Sequence, residues 1–314
     1  MSGDREIRER RPPRPVVDAW RPLDAFVEPE RDVDGTVRSV AAVFLAGREC
    51  PFTCVFCDLW RFTLPGPTPR GSLPLQIGLA LESLGAAATG CDAIKLYNAS
   101  NFFDPLAVPE ADLSGIVATV ERFGRITVES HPKLIGERAL ELARRLPGEL
   151  EVAMGLESAH PRILPRLNKA MTVADFATAA DTLLAHGIAV RAFVLVGVPF
   201  LEAESQVEWA VRSAERALEL GARQVSLIPV RGGNGELERL AARGEWQPPS
   251  LDQLEDAFEA ALGGATGVVT VDTWDLDRIA SCPACLKRRR QRLVQMNLSG
   301  RVAPRPPCDG CGWG

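Results

Sequence analysis

The sequence predicts an α/β protein built on a parallel sheet, and three observations carry that expectation. From residue 36 onward, short β-branched or apolar runs alternate with amphipathic stretches of helical length. The runs are nearly continuously apolar, as strands buried on both faces are. With 314 residues, 46% apolar and 25% charged, the chain has material for a large core, which excludes a disordered chain or a small stapled scaffold. Such a sheet is either open and doubly wound or closed into a partial barrel.

Residues 1–35 are rich in Pro, Arg and acids without periodicity, and read as a loosely held N-terminal arm. Strands are expected at 39–45, 93–98, 126–130, 150–155, 189–196 and 224–230, with helices near 75–88, 109–122, 136–146, 173–186 and 203–220. Gly187 and Gly221 follow two of these helices, where a C-cap is expected. The turn Gly232-Gly233-Asn234-Gly235 opens a shorter helical region over 236–263, followed by a strand at 268–274. The core thus runs over 36–275. Residues 276–314 differ: four cysteines, a basic run and several Gly and Pro, with little apolar periodicity, read as a small module folded by a metal. The longest apolar stretch, 187–200, is broken by Arg191 and too short to span a bilayer, and the N-terminus lacks the apolar segment of a signal peptide. A cytoplasmic protein without a membrane partner is expected.

Eight cysteines in such a compartment read as thiols, and seven of them are clustered, which points to metal ligands. Cys50, Cys54 and Cys57 follow the first expected strand, at the strand end where parallel barrels build their sites. Three is the informative number. A structural zinc or an ordinary 4Fe-4S cluster takes four protein ligands, whereas a 4Fe-4S cluster on three cysteines keeps one iron open. The alternative is a zinc knuckle with a distant fourth ligand. Cys282, Cys285, Cys308 and Cys311 make a closed set for structural zinc or a second 4Fe-4S cluster, and Cys91 is expected in the core.

The Cys-x3-Cys-x2-Cys spacing, with the aromatic Phe56 before the third cysteine, resembles the signature of radical S-adenosylmethionine (SAM) enzymes. The resemblance implies a partial (β/α)6 TIM-type barrel of parallel strands with a small C-terminal four-cysteine metal-binding module. It also implies a 4Fe-4S cluster whose open iron chelates SAM and cleaves it with one electron from an external donor. Asn98 and Ser100 stand where the superfamily contacts the methionine amino group, although the usual Gly-Gly-Glu is absent. Glu129 and Glu157 end two later strands and suit ribose hydroxyls or the methionine end. Lys169 and Arg191 suit the SAM carboxylate, Arg191 having a buried glutamate as its other expected partner. Gly197 and Pro199 resemble the turn beside the adenine, and Ile228 would pack its ring. His131 follows Glu129 into the same region and is a candidate proton donor on the substrate side.

From Cys50 to Pro249 the chain looks like the branch that includes the Elongator catalytic subunit and the tRNA methylthiotransferases. The segments around Asn98, Glu129, Glu157 and Lys169 are most similar to archaeosine-forming radical SAM lyases. That similarity implies a 7-deazaguanine-like base in tRNA as substrate and a partner enzyme that prepares it. Residues 282–314 carry +6 locally against −11 for the rest of the chain. The basic residues Lys287, Arg288, Arg289, Arg290 and Arg292 would therefore either dock tRNA or contact the acidic barrel of their own chain. Trp313 would stack on a base or pack over the metal knuckle. Two other functions stay open: radical chemistry on a peptide or small-molecule substrate, and a non-enzymatic iron-sulfur or zinc accessory protein.

Overall fold

A computed structural model describes residues 3–312. Eight strands form one sheet in chain order: β1 (Asp24–Arg31), β2 (Val37–Phe44), β3 (Ala93–Tyr97), β4 (Arg125–Ser130), β5 (Glu149–Glu157), β6 (Ala189–Val196), β7 (Gln224–Pro229) and β8 (Val268–Val271). β1 runs antiparallel to β2, and every later pair is parallel. The helices are α1 (Asp4–Glu9), α2 (Ser72–Leu84), α3 (Ala86–Thr89), α4 (Leu113–Val120), α5 (Glu137–Arg145), α6 (Val173–Leu184), α7 (Gln206–Glu219), α8 (Glu236–Ala242), α9 (Leu251–Gly264) and α10 (Pro283–Ser299). The sheet curls into a half-barrel: Tyr97 on β3 meets Phe193 on β6 across the interior, their ring centroids 6.5 Å apart.

Parity along the strands explains the layers. Ile94, Leu96, Ile126, Val128, Val152, Met154, Val190, Ala192 and Val194 face outward and form one buried core with Ile77, Ile116, Leu142, Phe176 and Ala214 of the helices. Gly187 and Gly221 adopt φ of +70° and +89° as the expected C-caps, and a Cβ on Gly221 would come within 2.3 Å of Leu184. Cys91 lies in this core. No helix among the described residues is long and apolar enough to cross a membrane.

Three departures from expectation have physical causes. Residues 24–31, expected in a loose arm, are the edge strand β1. The sequence hides it because Pro29 sits on an edge, where a missing donor is tolerated, and because its glutamates turn inward. Glu30 makes two hydrogen bonds with Arg191 at 2.8 and 2.9 Å and pairs with Lys95, and Glu28 bonds Lys95 at 2.7 Å. Glu151, fully buried, accepts from Arg191 at 3.0 Å, Arg223 at 2.8 Å and Thr127 at 2.8 Å. Arg191 is thus the centre of a charged floor inside the half-barrel: of its two expected partners the structure gives it the buried glutamates, which corrects its assignment as a cofactor ligand.

The second departure is α10, a 17-residue helix in the region expected to lack periodicity. Its buried stripe is Cys285, Arg289, Arg292, Leu293 and Met296, and the two arginines break the apolar pattern. Arg289 and Arg292 lie against α9, on Glu255, Asp252 and Glu259. Arg305 joins them on Asp256 and Glu259. These cations serve their own chain, which removes Arg289 and Arg292 from the expected tRNA-docking run. Asn297 of α10 closes the open edge of β8, its amide oxygen accepting from Val271 N–H at 2.8 Å and its amide nitrogen donating to the Val271 carbonyl at 2.9 Å. The third departure, the segment before β1, belongs to the site below. Trp313 lies outside the described residues.

Candidate functional site

The loop after β2 carries Cys50, Cys54 and Cys57 over the C-terminal end of the barrel. Its turns are local: Cys57 N–H donates to the Cys54 carbonyl at 3.2 Å, and Asn101, after β3, donates from its amide to Cys50 Sγ at 3.1 Å. Burial pushes the three thiols up, Cys54 to about 12, and each lies within electrostatic reach of another. Three thiols on one short loop that ionise only against strong desolvation are a donor set suited to metal ions, whose charge offsets that cost. The charge of Lys169 acts on Cys50 and Cys54 and partly opposes that rise.

Lys169 Nζ donates to Glu157 Oε1 at 2.6 Å, both side chains being buried. Glu157 sits at a bulge in β5 with φ +64°, a conformation uncommon for a side-chain-bearing residue. Gly155 makes the room: a Cβ there would come within 2.0 Å of Glu157 Oε1 and 2.6 Å of Lys169 Nζ. Glu129 is different. Its carboxylate accepts the Asn98 N–H at 2.8 Å and also the backbone N–H groups of Ala99 and Ser100, and burial pushes it up to about 7 against those bonds. Ala99 adopts φ +53° to turn the chain over it. Both amide atoms of Asn98 and the hydroxyl of Ser100 are buried without partners among the described residues. Orphaned polar groups of this kind fit a ligand that brings donors and acceptors of its own, as SAM does.

His131 has both ring nitrogens occupied. Nδ1 accepts from Lys133 N–H at 3.1 Å, and Nε2 lies 2.8 Å from the Lys169 carbonyl. Burial, and then the charge of Lys169, lower it to about 4. Its ring stacks on Phe52 of the cysteine loop with centroids 3.8 Å apart. A neutral, fully bonded imidazole is a positioning group, which corrects its assignment as a proton donor. Phe56 and Ile228 are half-buried and pack on the apolar cluster formed by Val55, Leu167, Leu195, Val198 and Leu237 beside the cysteines. Gly197 and Pro199 are buried there. Gly197 has φ +84°, its carbonyl accepts from Trp246 Nε1 at 2.9 Å, and a Cβ would strike Pro249 at 2.5 Å.

Several residues that hold the loop escaped the sequence reading. Asn234 donates to the carbonyls of Val55 at 2.9 Å and Cys57 at 3.3 Å while capping α8, inside a turn marked in the sequence only by its glycines. The N-terminal segment is the larger omission. Asp4 accepts from Thr53 at 2.6 Å and Asn168 at 2.9 Å, and Ile7 is buried in the apolar cluster beside Val55. Arg11 and Arg14 bind Glu49 and lie over the Trp60 ring. The expected loose arm is a strap across the cysteine loop. At the other end of the chain the Sγ atoms of Cys282, Cys285, Cys308 and Cys311 all lie within 4.8 Å of one another, with two pairs at 3.9 Å.

Comparison with known proteins agrees with this geometry. The model of the Radical SAM superfamily matches residues 45–210. An uncharacterized protein of Methanocaldococcus jannaschii is 22% identical over 94% of this chain and 86% of its own. Archaeosine synthase subunit beta of Methanosarcina acetivorans is 28% identical over 54% of this chain and 50% of its own, and that of Thermococcus kodakarensis is 30% identical over 55% of each. The chain therefore spans about half the length of these two relatives. Among solved structures, the Elp3 of Methanocaldococcus infernus superposes with a TM-score of 0.54 at 15% identity, covering 82% of this chain and 63% of that one. A radical SAM methyltransferase from Sphaerobacter thermophilus gives 0.55 at 18% identity, covering 82% and 78%. Both likenesses concern the fold. With the family match extending over more than half of its residues, from the cysteine loop to α7, the chain is an enzyme of the radical SAM superfamily.

Proposed function

We propose that this enzyme acts on a 7-deazaguanine-like base of tRNA. The observation that carries the substrate class is the 28–30% identity to two archaeosine synthase beta subunits over about half of the chain. Their designation as subunits supports a partner protein that prepares or presents the substrate. Cys50, Cys54 and Cys57 would hold a 4Fe-4S cluster, and Phe56, Asn98, Ser100, Glu129, Glu157, Lys169, Gly197, Pro199 and Ile228 would surround SAM. When bound, that pair supplies a 5′-deoxyadenosyl radical after one electron from an external donor. The chain's own residues bind and orient. Lys169, fixed by Glu157, offers an ammonium to a carboxylate. Glu129 offers acceptors to an amine or to ribose hydroxyls, and Asn98 and Ser100 offer the hydrogen bonds they lack at present.

Anaerobically reconstituted protein with a reductant is expected to release 5′-deoxyadenosine, and Cys54→Ala to release none. Mass spectrometry of tRNA nucleosides from a deletion strain should lose or gain a 7-deazaguanine derivative. Unchanged tRNA alongside active SAM cleavage would move the substrate to a peptide or small molecule.

At the C-terminal site the thiol spacing favours a single zinc ion. Zn–S bonds of about 2.3 Å in a tetrahedron put sulfurs about 3.8 Å apart, and the two close pairs stand at 3.9 Å. In a 4Fe-4S cluster each cysteine binds a different iron, which spreads the sulfurs across the cluster's width. One zinc per chain by elemental analysis, retained in Cys54→Ala and lost in Cys308→Ser, is the expected result. Lys287, Arg288, Arg290 and Arg301 remain exposed on this module as phosphate contacts. Alanine at 287, 288 and 290 should weaken tRNA binding and reduce its salt dependence by about one counterion for each phosphate no longer neutralised.

A further inference from the structure

The chain is poor in aromatics at 6% of residues, yet five rings gather inside the half-barrel, between the charged floor and the strand ends that carry Asn98 and Glu129. Phe26 of β1 stacks on Phe44 of β2 with centroids 5.6 Å apart, and Phe44 meets Tyr97 of β3 at 5.8 Å. Tyr97 reaches across to Phe193 of β6. Trp274, just beyond β8, closes the group at 5.2 Å from Phe26 and 5.8 Å from Phe44. Tyr97 is the one tyrosine in the sequence.

These rings do not behave as core. Phe102, Phe123, Phe176 and Phe258, which pack between sheet and helices, are at most 1% exposed. Phe26, Phe44, Tyr97 and Phe193 each keep accessible surface inside the barrel, and Trp274 is 49% exposed. Apolar rings left half-covered on the inner face of the sheet forgo burial that the rings between sheet and helices achieve, which is the condition of a binding platform. Its rim is polar. Asp272 accepts from Arg231 at 2.9 Å and from Trp274 N–H at 2.9 Å, and Arg231 also donates to the Trp274 carbonyl. Arg231 Nε is buried with no partner among the described residues, so the rim retains an unused donor. The hydroxyls of Ser226 and Thr270, 3.0 Å apart, lie on adjacent strands of the same side.

We infer that the rings of Phe26, Phe44, Tyr97, Phe193 and Trp274 form the substrate platform, and that the substrate is a flat heteroaromatic ring, a nucleobase, stacked on them with its polar edge toward Arg231 and Asp272. An aliphatic chain would cover the rings but leave the rim unanswered. A base satisfies both, because every base has a π-face and a hydrogen-bonding edge. The inference deepens the proposed action on a tRNA base and rests on that reading for the base's identity, though not for its flatness.

The test is anaerobic titration calorimetry of the reconstituted holoenzyme with SAM present, using guanosine as the probe and ribose and cyclohexanol as controls without a π-face. Guanosine is expected to bind and the controls not to. Trp274→Leu and Phe44→Leu should each weaken guanosine on the order of tenfold, the size of one stacking interaction, and Trp274→Tyr should retain most of the affinity. Guanosine binding no better than cyclohexanol, or unaffected by both leucine substitutions in folded protein, overturns the platform. If guanosine binds as expected while deletion-strain tRNA is unchanged, the platform stands and the tRNA reading fails. If the tRNA changes but guanosine binding ignores both substitutions, the platform fails and the tRNA reading stands.

Discussion

The floor and the mouth of this half-barrel both bury charge, and they balance it in opposite ways. On the floor, Lys95 and Arg191 are matched by Glu28, Glu30 and Glu151. Burial opposes ionisation of Glu30, but Arg191 and then Lys95 outweigh it and hold its carboxyl well below the usual range. In the mouth, Lys169 pairs with Glu157, but Glu129 is met by backbone N–H groups rather than by a cation, and burial pushes it up to about 7. Asn98 and Ser100 have buried polar atoms without partners among the described residues. A buried polar group left incomplete is unfavourable, so a region that keeps several of them is built for what arrives later. On the floor every buried charge faces an opposite one and a single atom, Arg223 Nη2, lacks a partner among the described residues, so the floor serves the fold, whereas the mouth keeps several such atoms around Glu129 and serves binding.

Removing an acid from each region should therefore have opposite signs. Glu151→Ala uncovers Arg191 and Arg223 inside the barrel, and breaking a buried pair from one side costs about 3–5 kcal/mol. Urea unfolding at pH 7 measures it, and a loss under about 1 kcal/mol would show that the floor network is dispensable. Burial works against the Glu151 carboxylate, but Arg191 and Arg223 lower it overall. Its contribution is accordingly present above the unfolded-state value and lost as pH falls through the folded one.

Glu129→Gln should act the other way. Because burial raises the Glu129 carboxyl from 4.5 to about 7, the folded ligand-free protein keeps a proton in that interval that the unfolded chain has released. Stability then falls as pH rises from 4.5 to 7, by at most about 1.4 kcal/mol per pH unit. The glutamine variant should lose that slope and be the more stable protein at about pH 8, above both values. Melting curves across this range decide it, and a slope that survives the substitution would assign it to another group.

Legibility in the sequence followed the same division. The parallel strands were readable because both of their faces meet apolar or small neighbours, so β6 appears as the run 189–196 interrupted only at Arg191. The cysteine loop was readable because thiolate chemistry fixes residue type and spacing. β1 and α10 were hidden because their buried positions hold Glu30, Arg289 and Arg292, whose partners lie 161, 34 and 33 residues away. Charge reads as surface until its distant partner is known. His131 reads as a proton donor, and Arg191 leaves SAM and a buried glutamate both open, for the converse reason: their partners are invisible in one dimension, whereas in three His131 is bonded at both nitrogens and Arg191 takes Glu30 and Glu151.

The strap formed by residues 3–16 tests whether the mouth is also held from outside, and it predicts the smallest effect. Asp4 ties two segments of the mouth together, since the same carboxylate oxygen accepts from Thr53, between Cys50 and Cys54, and from Asn168, next to Lys169. Those bonds are near the surface, and Asp4→Ala should cost about 1 kcal/mol or less of global stability. Its local consequence is sharper. With the tie gone, the cysteine loop loses a restraint that Ile7, Asn234 and the direct bonds from Asn168 to Thr53 at 2.8 and 2.9 Å only partly replace, so loop opening becomes more frequent while the core does not change. In metal-free protein, iodoacetamide should alkylate Cys50, Cys54 and Cys57 faster in Asp4→Ala than in the wild type, with Cys91, in the core behind the sheet, reacting at an unchanged rate. Equal rates at the three loop cysteines would mean that the strap rests on the loop without holding it. Faster reaction at Cys91 as well would trace the effect to global unfolding.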